Sequence, residues 1–186
     1  MAVLIRVVLL VLPAIAWPLA GPAIAGMREQ ATERDIKAAF LYNFTRYIEW
    51  PPEAFAGASE PFRLCVIADE DFTRRAASFV TGEQVHGRPI EFVVPPASAL
   101  ARCHILFVGR QAGARLSALL AVTAGRPVLT VGETPDFIDR GGMVLFEVDQ
   151  GRVRFDIHLG AASRAKLVVS SKLVRVARRV RESTLR

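Results

Sequence analysis

The clearest pattern in the chain is an uninterrupted apolar run near its middle. Ile105–Val108 contains only large apolar residues and stops at Gly109, which is typical of a strand covered on both faces, as in a parallel sheet. Other apolar runs precede and follow it. The strands predicted in this part of the chain are residues 62–68, 89–94, 103–108 and 127–131. We place residues 103–108 at the centre of the sheet.

Segments with helical periodicity separate these strands. Residues 32–49 carry apolar side chains on one side at the spacing of an α-helix, and Pro51 ends this helix because a proline disfavours helical conformation in the residue before it. The other helices predicted before residue 125 are residues 69–80, 98–101 and 111–123. Strands that alternate with helices favour a mostly parallel sheet with helices on both faces.

The pattern changes in the last third of the chain. Residues 143–148 and Arg152–His158 predict two antiparallel strands, joined by Asp149-Gln150-Gly151 as a three-residue loop closed by a bulge. Residues 161–181 then predict a long helix with a basic side. The expected fold is α/β, with a mostly parallel sheet, helices on both faces, and a C-terminal antiparallel hairpin followed by a long helix.

Residues 1–25 have the layout of a cleavable signal peptide. A single charge, Arg6, precedes an apolar run over residues 7–15, and Ala23-Ile24-Ala25 matches an Ala-x-Ala cleavage pattern. A retained membrane anchor is the alternative, but it requires about 20 unbroken apolar residues, and prolines interrupt this run. We therefore expect export to the periplasm, with residues 26–186 forming one α/β domain.

The charge of the chain is unevenly distributed. The formal net charge is +6, and the surplus of basic residues lies toward the C-terminus. A basic segment can bind nucleic acid or an anionic surface. Because an exported protein meets little nucleic acid, we expect no nucleic-acid partner, and a solvated basic face is the simplest interpretation.

Two cysteines occur in the sequence, Cys65 and Cys103. An even cysteine count in an oxidising compartment favours a disulfide, and the two strands that carry them are expected to be neighbours. The alternative is a pair of buried thiols that act as small apolar residues. A redox-catalytic pair would normally be spaced as Cys-x-x-Cys, and this spacing is absent.

No motif for catalysis, metal binding or a cofactor is present in the sequence. His86, His104 and His158 lack the spacing of metal ligands. The sequence contains no nucleophile elbow, phosphate loop or dinucleotide fingerprint. Asp156 and His158 alternate on one strand, and without a nucleophile they are best interpreted as a surface pair. We therefore expect no enzyme activity, no metal and no cofactor.

A small-molecule site is expected at one edge of the sheet. Open α/β sheets bind ligands beyond the carboxyl ends of their parallel strands. The candidate residues at these ends are Asp69, Arg110, Gly132 and Glu133. The alternative interpretation is that they are loop glycines and helix caps.

Several segments, taken in order, resemble the YfiR-like family of exported bacterial proteins over about residues 35–178. The matching segments are Lys37-Ala-Ala-Phe-Leu-Tyr-Asn-Phe with Glu49-Trp-Pro51, Phe62-Arg-Leu-Cys-Val-Ile, Cys103-His-Ile-Leu-Phe-Val, Val128-Leu-Thr-Val-Gly-Glu133, Phe137 with Gly141-Gly-Met-Val, Arg152-Val-Arg-Phe-Asp-Ile, and Ser170-Ser-Lys-Leu-Val-Arg-Val-Ala177. Cys65 and Cys103 match one of the family's cysteine pairs. The chain lacks the family's second pair, and His158 stands where an asparagine is more usual.

The resemblance implies a periplasmic regulator. It implies a protein that binds and represses the periplasmic domain of an inner-membrane diguanylate cyclase, and so lowers cyclic-di-GMP and biofilm formation. It also implies that an outer-membrane lipoprotein sequesters this repressor. The alternative function is a periplasmic small-ligand-binding protein that feeds a membrane sensor kinase or receptor. The candidate partner-binding residues are Tyr42 and Trp50 on the outer side of the first helix, and Arg175 and Arg179 on the basic face of the last helix. Ordinary solvated surface is the alternative for each, and an exposed apolar face on the first helix would favour a homodimer.

Overall fold

The computed structural model describes residues 23–182, with side chains described from residue 33. Its helices are α1 (Ala23–Tyr47), α2 (Glu70–Val80), α3 (Leu116–Thr123), α4 (Leu159–Arg164) and α5 (Ser171–Val176). Its strands are β1 (Ile48–Glu49), β2 (Phe62–Ile67), β3 (Gln84–Val85), β4 (Arg88–Val93), β5 (Ile105–Val108), β6 (Leu129–Gly132), β7 (Val144–Asp149), β8 (Arg152–His158), β9 (Val168–Val169) and β10 (Arg179–Arg181). Short 3₁₀ segments lie at Pro52–Ala54, Ala97–Arg102 and Arg110–Arg115.

The predicted signal peptide falls mainly on residues 1–22, which lie outside the described residues. From residue 23 to residue 182, no helix combines the length and hydrophobicity that a bilayer span requires.

The structure is a mixed α/β fold built on an eight-stranded sheet in the order β10-β8-β7-β6-β5-β2-β4-β3. The strands from β7 through β4 run parallel to their neighbours, whereas β8 is antiparallel to β7 and β3 is antiparallel to β4. The expectation of a mostly parallel sheet is therefore corrected to a mixed sheet. The missed hairpin of β3 and β4 turns at His86 and Gly87, which both have positive φ. Histidine gives little sequence signal for such a turn.

The hairpin of β7 and β8 is present, but its loop differs from the prediction. Asp149 pairs with Arg152, so only Gln150 and Gly151 form the loop. Both of these residues have positive φ, which is the conformation of a two-residue turn whose twist matches the twist of the strands. The predicted three-residue loop with a bulge is therefore wrong.

The long C-terminal helix predicted over residues 161–181 is also wrong. Helix α4 ends because Lys166 adopts a φ of 57°, and the N–H of Leu167 donates to the carbonyl of Ala162 at 3.0 Å. This is the bonding of a left-handed helix end, a position that glycine usually occupies. After it, β9 pairs with β1, α5 makes a single short helix, and β10 joins the sheet beside β8.

Helices cover both faces of the sheet and enclose two apolar cores. The larger core packs α1, α2, α4 and α5 against one face, with Phe44, Phe107, Phe146 and Phe155 among its buried residues. The smaller core packs α3 and the nearby 3₁₀ segments against the other face. All four residues of β5 are buried, as expected for the central strand.

Candidate functional site

A cleft of about 260 Å³ opens at the carboxyl ends of β2, β5 and β6. The chain leaves β2 through α2, which covers one face of the sheet, and leaves β5 toward α3, which covers the other. The strand order reverses between β2 and β5, and such a reversal leaves a crevice at which open α/β sheets bind ligands. The residues lining the cleft are Glu33, Arg34, Lys37, Ala68, Asp69, Phe72, Arg110, Gln111 and Glu133.

Three of the four ligand-binding candidates from the sequence meet in this cleft. Asp69, Arg110 and Glu133 follow β2, β5 and β6 respectively and line it together. Gly132 does not line it. Gly132 is buried, and a Cβ at this position would lie 2.2 Å from ring carbons of Phe137. Its role is therefore to let the Phe137 ring approach the backbone.

A buried lysine from α1, which the sequence analysis missed, forms the inner wall of the cleft. Lys37 is 3% exposed, and its Nζ donates to Oε2 of Glu133 at 2.5 Å and to Oε1 of Glu33 at 2.5 Å. The other oxygen of Glu133 accepts the backbone N–H of Arg110 at 3.1 Å. The signal was present in the sequence, because Lys37 lies on the same helical stripe as the buried Leu41 and Phe44.

The second wall is a set of ion pairs between α1 and the start of α2. Nη1 of Arg34 lies 2.7 Å from Oδ1 of Asp69 and 3.0 Å from Oδ2 of Asp71. Asp69 also caps α2 by accepting the N–H of Phe72 at 2.9 Å. A hydrogen bond from Arg75, together with the charges of Arg75 and Arg34, lowers the pKa of Asp71 below its ordinary value. Asp69 is thus both a helix cap and part of the cleft wall.

The guanidinium of Arg110 differs from the other two cations of the cleft. Arg34 and Lys37 each bind two carboxylates. Arg110 is exposed, and among residues 33–182 no carboxylate lies within 4.0 Å of its side-chain nitrogens. Among the described residues, Arg110 is therefore the cation of the cleft whose guanidinium has no bound carboxylate. Over the same residues, no group of three His, Cys, Asp or Glu side chains is placed to hold a metal ion.

A disulfide joins the two strands that flank the crevice. Cys65 in β2 is bonded to Cys103, which precedes β5, with the Cα atoms 5.8 Å apart. Both residues are buried in the smaller core. The bond predicted from the sequence is present in the structure, and it fixes β2 to β5 below the cleft.

Tyr42 and Trp50, two of the partner-binding candidates, are half-buried and hydrogen-bonded. The hydroxyl of Tyr42 donates to Oε2 of Glu83 at 2.7 Å, and this bond raises the pKa of Tyr42. Trp50 lies after β1 rather than on the first helix, and its Nε1 donates to the carbonyl of His104 at 3.1 Å. Both side chains therefore hold segments of the fold together.

The other two candidates, Arg175 and Arg179, are exposed but do not share a helix. Arg175 lies on α5 and Arg179 on the edge strand β10, so the predicted basic helix face is wrong. Arg179 lines a groove of about 670 Å³ that is bordered by β7, β8, β10 and the loop around Asp139. Beside it, Arg178 binds the buried Asp156 through two hydrogen bonds of 2.8 and 2.7 Å.

His104 holds the loop that follows Trp50. Its ring is stacked between Phe55 and Phe62, with centroid distances of 4.4 and 4.8 Å. Nδ1 accepts the backbone N–H of Arg63 at 2.9 Å. Nε2 lies 3.1 Å from the carbonyl oxygen of Ala54, and because this oxygen can only accept a hydrogen bond, Nε2 is assigned the proton. Burial lowers the pKa of His104 to about 4, so the ring is neutral at ordinary pH. The role of His104 is structural.

Two solved structures resemble parts of the chain distantly. One is a conserved domain protein from Vibrio cholerae O1 biovar eltor str. N16961, with a TM-score of 0.49 and 7% identity over 64% of this chain and 54% of that one. The other is the ABC domain in complex with L-Trp from Streptococcus pneumonia, with a TM-score of 0.45 and 10% identity over 64% of this chain and 55% of that one. The matched part of this chain spans about half the length of each solved protein.

No curated protein matches the sequence. A family model described as YfiR/HmsC-like matches residues 34–178, which includes most of the described part of the chain. The match contains the cysteine pair, the cleft residues from Arg34 to Glu133, and the hairpin of β7 and β8. The chain therefore belongs to the YfiR/HmsC-like family, a family of periplasmic regulatory proteins.

Proposed function

We propose that this protein is a periplasmic repressor of an inner-membrane diguanylate cyclase. It binds the periplasmic domain of the cyclase and thereby lowers cyclic-di-GMP synthesis. The observation that carries this proposal is the family match over residues 34–178. An outer-membrane lipoprotein that sequesters the repressor would complete the regulation.

Repression of this kind needs binding and no covalent chemistry. A protein that binds the inactive state of a receptor more tightly than the active state shifts the receptor toward inactivity. A hundredfold shift corresponds to about 2.7 kcal/mol of differential affinity, which a protein interface of ordinary size can supply.

The C-terminal segment supports the proposal as a docking surface. Val168 and Val176 are 60% and 61% exposed, which is high for large apolar side chains, and Arg175 and Arg179 lie in the same segment. Arginine is enriched at protein interfaces, and exposed apolar side chains beside it provide surface that a partner can bury. Tyr42 and Trp50 are weaker docking candidates because their polar atoms are already bound within the protein.

The proposal is tested by deleting the gene and measuring cyclic-di-GMP and biofilm formation. We expect both to rise, and to return to normal with the wild-type gene or with Arg102→Glu, an exposed control at the other end of β5. Val176→Asp should fail to complement and should lose capture by the purified periplasmic domain of the cyclase. If the parent strain expresses the protein and deletion leaves the cyclic-di-GMP level unchanged, cyclase repression is excluded.

The cleft at the sheet edge favours a second candidate function, a ligand-binding protein that reports to a membrane sensor kinase or receptor. Its position at the strand-order reversal is the position of ligand sites in open α/β sheets. Under this function, deletion leaves cyclic-di-GMP unchanged and abolishes the response of the sensor to a small molecule.

A further inference from the structure

We infer that the cleft at the carboxyl ends of β2, β5 and β6 binds a small molecule through an oxyanion group, a carboxylate or a phosphate, and that the guanidinium of Arg110 binds this group. The inference rests on the second candidate function only for its biological consequence. Binding itself is a property of the purified protein and does not depend on the membrane partner.

Hydrogen bonds and ion pairs within the protein hold the walls of the cleft in place without a ligand. Glu133 is bonded on one side to Lys37 from α1 and on the other to the backbone of Arg110. Asp69 is bonded to Arg34 and to the first turn of α2. A ligand therefore meets side chains whose conformations are already restricted, and this reduces the entropy lost on binding.

The charges of the cleft leave Arg110 available for a ligand. Every carboxylate that lines the cleft is bound to Lys37 or Arg34, while Arg110 has no such bond within the described residues. Guanidinium binds carboxylate and phosphate groups with paired hydrogen bonds. The neighbouring amide of Gln111 also lines the cleft and can donate a further hydrogen bond.

Gly109, which directly precedes Arg110, allows the ends of β2 and β5 to pack closely beside the cleft. A Cβ at this position would lie 2.9 Å from Oε1 of Gln111 and 3.2 Å from the Cα of Ala68. The strand ends of β2 and β5 therefore approach each other closely without a side chain between them, and the side chains of Arg110 and Gln111 follow directly. The sequence Gly-Arg-Gln thus places two polar side chains at the crevice.

The size of the cleft limits the ligand to a small molecule. A volume of about 260 Å³ lies below the usual range for drug-sized ligands, which is roughly 300–1,000 Å³. Phe72, which is 4% exposed and stacks on Phe107 at 4.5 Å, gives the cleft one apolar wall. A short carboxylic acid or a small phosphate compound fits these dimensions better than a nucleotide.

The test is titration calorimetry on the purified protein at constant ionic strength, with succinate and inorganic phosphate as the two probes. We expect saturable binding of at least one probe in the millimolar range or tighter, and the probe that binds identifies the oxyanion. Arg110→Gln should weaken this binding roughly tenfold or more, the loss expected for a charged hydrogen-bonded pair. Arg102→Gln, a matched exposed arginine at the opposite end of β5, should leave it unchanged.

A second measurement locates the site. Backbone amide resonances of Ala68, Arg110 and Glu133 should shift with the same saturation curve as the calorimetric signal. Equal weakening by Arg110→Gln and Arg102→Gln would show diffuse electrostatic attraction and overturn the inference. It would equally be overturned if neither probe bound in the millimolar range, or if the shifts clustered away from the cleft.

Discussion

Nζ of Lys37 lies 2.5 Å from Oε2 of Glu133, and this contact joins the first helix to the end of β6 across 96 residues of sequence. Lys37 is 3% exposed, so the ammonium group is almost removed from water. Its charge is balanced by Glu133 and by Glu33, one turn earlier on the same helix.

Lys37→Met should lower the free energy of unfolding by about 3 kcal/mol, because removing one partner of a buried ion pair leaves the other charge uncompensated. Urea denaturation measures this loss. Lys166→Met is the matched control, because the Lys166 side chain is 70% exposed and pairs with Glu53 at the surface. This control should change stability by less than about 0.5 kcal/mol. Equal effects of the two substitutions would show that the buried pair contributes no more than a surface pair.

Arg178→Met should also destabilise the fold by about 3 kcal/mol, because Asp156 is 7% exposed and would lose both of its guanidinium hydrogen bonds. Arg179→Met is the control on the next residue, since that side chain is exposed and should alter the free energy of unfolding by less than about 0.5 kcal/mol. Thermal and urea unfolding of the two variants measure the loss in the free energy of unfolding for each. A stable Arg178→Met variant would show that the bond between Arg178 and Asp156 does not contribute to stability.

Replacing Cys65 and Cys103 together by alanine should lower stability by about 2–4 kcal/mol, the usual contribution of a disulfide that closes a loop of this length. The oxidised wild-type protein, unfolded without reductant, should contain no free thiol. Thiol titration in denaturant checks this, and reduced wild-type protein should match the double variant in stability. Two reactive thiols in protein purified from the periplasm would contradict the bond.

His104 should make stability depend on pH in mildly acidic solution. Its pKa is about 4 in the folded protein, against an ordinary value of 6.5. Between these values the unfolded chain binds a proton that the folded protein does not, so stability falls as pH is lowered from 6.5 toward 4. The slope contributed by one such group approaches about 1.4 kcal/mol per pH unit.

The comparison that isolates this effect uses urea unfolding at several pH values from about 7 to about 5, above the range in which most carboxylates titrate. His104→Gln should be less stable at neutral pH, because it loses the stacking on Phe55 and Phe62, and its pH slope should be smaller. His86→Asn, at an exposed turn, should keep the slope of the wild type. A wild-type slope that survives in His104→Gln would assign the effect to another group.

The parts of the fold that were predicted correctly depend on strong local patterns. The four apolar residues of Ile105–Val108, which stop at Gly109 and lie between helical patterns, indicate the central strand because such a short run is typical of a strand buried on both faces. The convergence of Asp69, Arg110 and Glu133 followed from a topological rule, since parallel strands end at the same edge of a sheet. Neither inference required knowledge of distant contacts.

The errors come from residues whose conformation is set by tertiary contacts. Lys166 ends α4 in a left-handed conformation although its sequence neighbourhood continues a helical pattern. His86 and Gln150 take positive φ in tight hairpins, where Asn or Asp would have given a signal. The position of Lys37 on an apolar stripe indicates its burial, but nothing in the sequence indicates the distant Glu133 that it binds.

The strand order has a consequence for how the protein can be assembled. From β5 onward, the strands β6, β7, β8 and β10 lie side by side in the order in which they occur in the chain. Each new strand can therefore be added at the growing edge of the sheet, and none has to be inserted between two that are already paired. The disulfide lies at the start of this series, since Cys65 and Cys103 both precede β5. The covalent bond can thus form between β2 and the segment that enters β5 before β6, β7, β8 and β10 join the sheet.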